Sequence, residues 1–372
     1  MRITLIGPFT PFRGGISDFN TALFKELDNS HTVQIINFST QYPNFLFPGK
    51  TQYKNNDINP VESEQILSSI NPLAWSRTSN KIVEFQPELV VFHYWMPFFA
   101  PAFRKIAESV NKKTQAKIIV ICHNLIPHEK FRFTRFLTKT FLNKVDRFIV
   151  MSESVRSELL NIISDAKHKL VPHPIYNIFG NTIEKRIARK NLDIKAKNVI
   201  LYFGLIREYK GLDILLKSVP KIKQELDDFI VIVAGECYEN AEKYIDLVEK
   251  LKIHDSVDLK LKFIPDSEVS EYFSAADVIA LPYRTATQSG IIQIAYNFDR
   301  PVVVSDVGGL AEIVLDGKTG YVVKPISDEF AKALVKYFRD DNFDQFSKNI
   351  LVHKKLFSWN NFIDNLIELG TE

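Results

Sequence analysis

Cysteine is nearly absent: the 372-residue chain has two, Cys122 and Cys237, far apart and each closing an apolar run. Their number and spacing give neither a disulfide framework nor a metal-binding pattern, which points to a reducing compartment. No apolar run reaches the roughly 18 residues that a membrane-spanning helix needs. The opening MRITLIGPF reads as a strand running into a loop, with no signal peptide. An excess of charge is missing too: the formal net charge is +3, too small to point to a nucleic-acid partner. The expected location is therefore the cytoplasm. A hydrophobic content of 45% and a charged content of 24% are those of an ordinary globular protein, and the length exceeds one typical domain.

What is present is an alternation of short apolar, β-rich runs with longer helical patterns. RITLIG, TVQIINF, LVVFHY, KIIVICH and RFIVMS form a first set; NVILYFG, FIVIVAGE, VIALP, PVVVSD and GYVVKP form a second. Continuous apolar strands are buried on both faces, the mark of a parallel sheet. Helical segments such as GLDILLKSVPKIKQEL between them complete βαβ units. The series pauses over residues 171–198, a polar, basic, strand-poor stretch read as a linker. The expected architecture is α/β: two facing Rossmann-like, doubly wound parallel-sheet domains with an interdomain cleft, residues 1–175 and 176–355, followed by a terminal helix over 356–372. Ligands of such sheets bind beyond the carboxyl ends of the strands, so the loops there hold the candidate residues.

The loop GPFTPFRGGISDF carries Gly14 and Gly15 before a helix. They serve either a tight turn needing positive φ or a close approach of backbone amides to a ligand. The dinucleotide fingerprint GxGxxG is absent. ICHNLIPHEKF places His123 at the end of a strand, with His128 and Glu129 beyond, and His93 in FHYWMPFF holds the corresponding position on the preceding strand. A histidine at a strand's carboxyl end is a candidate functional group. FGLIREYKGLDILL puts Arg207 and Lys210 just before a helix. The helix dipole disfavours cations there, an oddity that an anion held between them removes. ATQSGIIQIAY opens a helix with a tight turn and carries no charge at all, so any anion bound there would meet backbone amides.

Together, and in this order, RGGISDF, CHNLIPHE, FGLIREYKGLDILL, AGE, AADVIALPY, RPVVVSDVGGLAEIV and GKTGYVV resemble a GT-B glycosyltransferase, closest to the retaining family 4 group. The resemblance implies transfer of a sugar from a nucleotide-diphosphate-sugar to a glycan or lipid-linked glycan, with retention and without a required metal or other cofactor. It implies that Arg207 and Lys210 bind the diphosphate and that His123 lies beside the donor sugar. Donor contacts would come from Gly14, Gly15, Gly235, Glu236, Gln288, Ser289 and Gly290, and acceptor contacts from His93 and His128. The terminal FSWNNFIDNLIEL resembles the segment that crosses back to the first domain in this fold. In one respect the sequence departs from the family. Two glutamates eight positions apart contact the donor sugar and the ribose in similar enzymes. The matching positions here are Ala286 and Ile294 or, with a one-residue gap, Thr287 and Ala295. Gln288 and Gln293 are the expected substitutes, for the sugar and the ribose respectively. A non-catalytic nucleotide-sugar-binding subunit and, less favoured, a nucleotide-sugar epimerase are the alternatives.

Residues 128–148 mix Lys130, Arg132, Arg135, Lys139 and Lys144 with five phenylalanines, and Phe133, Leu137 and Phe141 share a face at helical spacing. The segment over 130–147 reads either as a peripheral contact with the inner face of an anionic membrane or as an amphipathic helix packed on the sheet.

Overall fold

The computed structural model describes residues 1–43, 51–53, 61–125 and 134–372. The chain divides into two compact units: Met1–Pro174 together with Ser358–Glu372, and Ile175–Phe357.

The first unit holds a parallel sheet of β1 (Arg2–Ile6), β2 (Thr32–Thr40), β3 (Glu64–Ser68), β4 (Leu89–Tyr94), β5 (Lys117–Cys122), β6 (Arg147–Val150) and β7 (His168–Leu170). Its order is β3-β2-β1-β4-β5-β6-β7. The direction of strand progression reverses between β1 and β4, so the loops after these two strands flank the crevice where such sheets take ligands. Every residue of β4 is buried, as its unbroken run LVVFHY requires. The helix Trp359–Thr371 belongs to this unit: Trp359 and Phe362 pack on Phe19 at ring-centroid distances of 5.3 and 5.5 Å. Ion pairs from Arg147 to Glu372 and from Lys169 to Glu368, 2.8 and 2.6 Å long, fasten its end.

The second unit holds a parallel sheet of β8 (Asn198–Phe203), β9 (Phe229–Ala234), β10 (Val257–Lys260), β11 (Val278–Leu281), β12 (Val302–Ser305) and β13 (Gly320–Val323). Its order, β10-β9-β8-β11-β12-β13, places the switch point between β8 and β11. Two doubly wound α/β units of this kind are what the alternating apolar runs predict. The strands without a sequence signal are β3, β7 and β10. All three lie at sheet edges and are only partly buried, so none carries a continuous apolar run.

Residues 175–197, within the polar stretch between the two sets of strands, are folded into the second unit. The helix Lys185–Asn191 is pinned there by Asp277, which sits just before β11. Asp277 Oδ1 accepts from Lys185 Nζ at 2.8 Å, and Oδ2 accepts from Arg189 Nη2 at 2.7 Å and from the Val199 N–H at 2.7 Å. Removing the carboxylate leaves two cations and a backbone donor without their acceptor. Asp277→Ala is expected to lower the stability of the second unit by about 3 kcal/mol, read as a lower urea midpoint of the full chain.

Candidate functional site

In the second unit the switch point brings together the loop after β8, residues 204–211, and the loop after β11, residues 282–289. Gly211 makes their contact possible. It has φ +66°, and a Cβ there would lie 2.0 Å from the Pro282 carbonyl oxygen. Arg284 then ties the loops together. Its N–H donates to the Tyr209 carbonyl at 2.7 Å, and its guanidinium donates to the Glu208 carbonyl and to Asp213 Oδ2, each at 2.8 Å. A second tie comes from Gly308, where a Cβ would meet the Ala286 carbonyl oxygen at 1.7 Å. The loop after β9 joins the same cluster: Ile206 N–H donates to the Glu236 carbonyl at 2.9 Å and Tyr238 N–H to the Ile206 carbonyl at 3.0 Å.

Arg207 and Lys210 stand on this frame. Each lies over an aromatic face, Arg207 at 5.3 Å from the Tyr238 ring centroid and Lys210 at 5.3 Å from that of Tyr283. Neither is ion-paired with a carboxylate of the described residues; Asp213, nearby in sequence, is taken up by Lys217 and Arg284. Lys210 Nζ comes within 3.6 Å of where a Cβ on Gly204 would sit, and Ile291 Cδ1 comes within 3.2 Å of the same point. The ammonium therefore stands beside the start of the helix Gly290–Asn297. Burial, joined by the positive charge of Arg207 and opposed by Tyr209, lowers the Lys210 pKa from its ordinary 10.5. Burial likewise raises the Tyr283 phenol to about 12. The Gly290–Asn297 helix is capped by Ser289, whose hydroxyl accepts from the Ile291 N–H at 3.3 Å. A glycine is needed at 290 because a Cβ would press on Tyr176 at 2.9 Å. Two cations near a helix N-terminus, with no carboxylate of the described residues ion-paired to either, are an arrangement that favours an anion.

Gln293 is on the same helix, wholly buried, and both ends of its amide lack a hydrogen-bond partner. The positions that match the family's glutamates are apolar or small and also buried: Ala286, Thr287, Ile294 and Ala295 are at most 9% exposed. Gln288 and Ser289 lie at the mouth of the helix, and Ser289 Oγ is 3.5 Å from the Tyr283 hydroxyl. Gly235 packs so tightly on Gly204 that a Cβ would fall 1.9 Å from its carbonyl oxygen, and Glu236 beside it is buried.

The first unit assembles its candidates at the carboxyl ends of β1, β4 and β5. Gly14, with φ +115° and open space where a Cβ would project, precedes the helix Gly15–Leu27. Ser17 and Asn20 on that helix are buried, and Ser17 Oγ and Asn20 Oδ1 have no hydrogen-bond partner; nothing in the sequence singled them out. His93 is fully buried and His123 is 5% exposed. His128, and residues 130–133 of the basic segment, lie outside the described residues. Of the remainder of that segment, Thr138 and Phe141 are buried and Leu137 packs on the core, whereas Phe136 is 67% exposed between the exposed Arg135 and Lys139. Among the described residues no helix is long and apolar enough to cross a membrane, and no group of three or more His, Cys, Asp or Glu side chains is arranged to hold a metal ion.

The sequence profile described as Glycosyltransferase Family 4 matches residues 13–176, and that described as Glycosyl transferases group 1 matches residues 197–340. The chain thus carries a Glycosyltransferase Family 4 region followed by a Glycosyl transferases group 1 region. Its fold is that of solved GT-B structures. It superposes on sucrose-phosphate synthase from Thermosynechococcus elongatus with a TM-score of 0.75 at 19% identity, covering 99% of this chain and 98% of that one. On Anabaena HepE in complex with UDP-glucose the TM-score is 0.76 at 16% identity, with coverage of 99% and 98%. Among curated proteins, D-inositol 3-phosphate glycosyltransferase of Mycobacterium leprae is 27% identical over 236 residues, 61% of this chain and 54% of that protein. YtcC of Bacillus subtilis strain 168 is 26% identical over 275 residues, 67% and 66% of the two chains. The chain thus spans between about half and two thirds of the length of these curated relatives.

The unpartnered Gln293 amide makes a stability prediction. A buried polar group without a partner costs about 1–3 kcal/mol, and leucine has a similar volume without the polar atoms. Gln293→Leu is expected to stabilise the ligand-free chain by about 1 kcal/mol, measured by urea unfolding. A loss of stability would mean that the amide already makes bonds in the ligand-free protein.

Proposed function

We propose that this protein transfers a sugar, with retention, from a nucleotide-diphosphate-sugar to a hydroxyl of a glycan or lipid-linked glycan. The observation that carries the reading is the pair Arg207 and Lys210, neither ion-paired with a carboxylate of the described residues, with Lys210 beside the start of an uncharged helix. A departing nucleoside diphosphate gains negative charge as the sugar–oxygen bond breaks. Fixed cations and oriented amides stabilise that charge without reorganising. The phosphate oxygen released from the sugar carbon takes the proton of the incoming hydroxyl, so the chemistry calls for no nucleophile from the protein. Gln293 would serve the ribose, and Gln288 the sugar, in place of the missing glutamates. His123 is the ring of the first unit assigned to substrate. Arg135, Phe136 and Lys139 are proposed to rest on an anionic membrane, which suits a lipid-linked acceptor.

The test is calorimetric titration with UDP, GDP and their common sugar conjugates. One nucleotide is expected to bind tightly, and Arg207→Ala/Lys210→Ala to weaken it by about 100-fold, the loss of two charge-assisted contacts. Gln293→Leu should weaken nucleotide binding as well. No binding by any of them would favour a non-catalytic subunit, and conversion of the nucleotide sugar to an isomer would favour an epimerase. The pH dependence has a fixed sign. The Lys210 pKa is lowered in the free protein, and a bound diphosphate raises it, so affinity falls as alkaline pH passes through the free-state pKa. For the membrane contact, Arg135→Glu/Lys139→Glu is expected to abolish cosedimentation with vesicles containing phosphatidylserine. Unchanged cosedimentation removes that part of the proposal.

A further inference from the structure

The helix Phe343–His353 has one side committed to the second unit. Phe346 and Ile350 are buried, Asn349 Nδ2 donates to the Lys318 carbonyl at 2.8 Å, and His353 Nε2 lies 2.9 Å from the Ile313 carbonyl oxygen. The His353 ring also meets Phe357 edge-on, with centroids 5.0 Å apart. These contacts leave the opposite side of the helix to solvent. At spacings of three and four residues that side carries Lys348, Leu351, Val352 and Lys355, and Leu356 follows in the turn Lys354–Phe357. Leu351, Val352 and Leu356 are 47, 68 and 60% exposed. Twelve large apolar side chains are exposed among the described residues, and these three fall within six positions. A fourth, Leu315, is in the loop between the two carbonyls that Asn349 and His353 bind. Single exposed aliphatics are ordinary, but a group of them marks a contact surface.

The charge around the group has one sign. From Gln345 to Ile363 the sequence holds Lys348, Lys354 and Lys355 and no acidic residue. Lys354 is taken up by Asp299 at 2.6 Å. Lys348, Lys355 and the exposed Lys318 are not ion-paired with any carboxylate of the described residues. The dipole at the carboxyl end of the helix favours lysines there, but it gives no reason for the aliphatic side chains between them. Protein interfaces are depleted of lysine, and a second copy of this chain would set like charges against each other. An anionic bilayer suits both residue types, because aliphatic side chains enter the headgroup boundary while lysine stems bend back to the phosphates.

We propose that the outer side of the helix Phe343–His353, continued by Leu356, is a membrane-contact surface of the second unit. Leu351, Val352 and Leu356 insert among the headgroups of an anionic bilayer, and Lys318, Lys348 and Lys355 meet its negative charge. This surface is separate from the contact proposed around Phe136. One weak contact gives only marginal, reversible binding and stable anchoring takes two, so losing either is expected to end cosedimentation of the full chain.

The experiment measures partition of the full-length chain onto vesicles of phosphatidylcholine alone and onto vesicles containing phosphatidylserine. Lys348→Gln/Lys355→Gln is expected to weaken binding to the anionic vesicles by about 25-fold, roughly fivefold for each lysine. Leu351→Ser/Val352→Ser is expected to weaken it by about 10-fold. Both variants should keep the urea midpoint of the natural chain, since all four side chains are exposed. In Val352→Trp, the added indole emission is expected to move to shorter wavelength when the anionic vesicles are added, which adsorption by charge alone would not produce. Failure of the natural chain to bind anionic vesicles overturns the proposal, as do unchanged binding in both double variants and an unshifted indole. Self-association that is lost in Leu351→Ser/Val352→Ser, with vesicle binding unaffected, assigns the surface to a second copy and overturns it too. If Arg135→Glu/Lys139→Glu leaves vesicle binding intact while these variants lose it, the contact around Phe136 fails and this one stands.

Discussion

The second unit's candidate site depends on Arg284. Hydrogen bonds of the sheet end with the strands, and the loops that leave β8 and β11 on the two sides of the switch point must be held by something else. Arg284 does this from one residue, binding the carbonyls of Glu208 and Tyr209 and the carboxylate of Asp213. Its side chain is 39% exposed, so the ion pair itself is worth at most about 1 kcal/mol. Its larger effect is on charge. Asp213 is the acid in the first turn of the helix Leu212–Lys223, where the dipole favours it, and it is already shared by Lys217 and Arg284. It is thereby unavailable to Lys210. Neither Arg207 nor Lys210 is ion-paired with a carboxylate of the described residues, an arrangement that an added anion would offset.

Two buried polar side chains of this unit show how structure and function divide. Arg300 is 6% exposed, and its guanidinium donates to the carbonyls of Phe273 and Ser274. It is satisfied, and its role is to cap the carboxyl end of the helix Asp266–Ala275. Gln293, a few residues earlier, is equally buried and has no partner at either end of its amide. Folding alone selects against such a group, by about 1–3 kcal/mol. Locally unfavourable choices of this kind concentrate where a ligand supplies what the fold does not.

Much of this was legible in the sequence because each signal was local. Central strands buried on both faces show as continuous apolar runs. Edge strands β3, β7 and β10 do not, because each is only partly buried. Arg207 and Lys210 stood out as charges of the wrong sign at a helix start. The relation of His93 to His123 was only half visible. The register of β4 on β5 sets His93 opposite Ile121 and Tyr94 opposite Cys122, so His123 lies two positions further on rather than level with His93. Because side chains alternate between sheet faces, that offset of two still leaves both rings on one side. The hydrogen bond between His93 Nδ1 and His123 Nε2, 3.1 Å long, follows from register, which no local pattern records. The same holds for Arg284, Tyr238 and Tyr176, whose partners are distant in sequence. In the basic segment, spacing identified the face of Phe141 and Leu137 but did not show that Phe141 turns inward while Phe136 is exposed.

The expected substitution of amides for the two glutamates has a physical logic. At a wholly buried position a carboxylate must shed its hydration, at a cost of several kcal/mol unless a partner compensates it. An amide at Gln293 is cheaper to bury and offers both donors and an acceptor, but its bonds to hydroxyls are weaker than those of a charged oxygen. On this reading the chain keeps the family's means of holding a diphosphate, which resides in charge and backbone. What it would have changed are the contacts to the ribose and the sugar, where neutral amides stand in for charged oxygens. On the same reading, holding the ribose through Gln293 requires hydroxyls that satisfy both ends of one amide at once, a stricter geometric condition than meeting a single carboxylate.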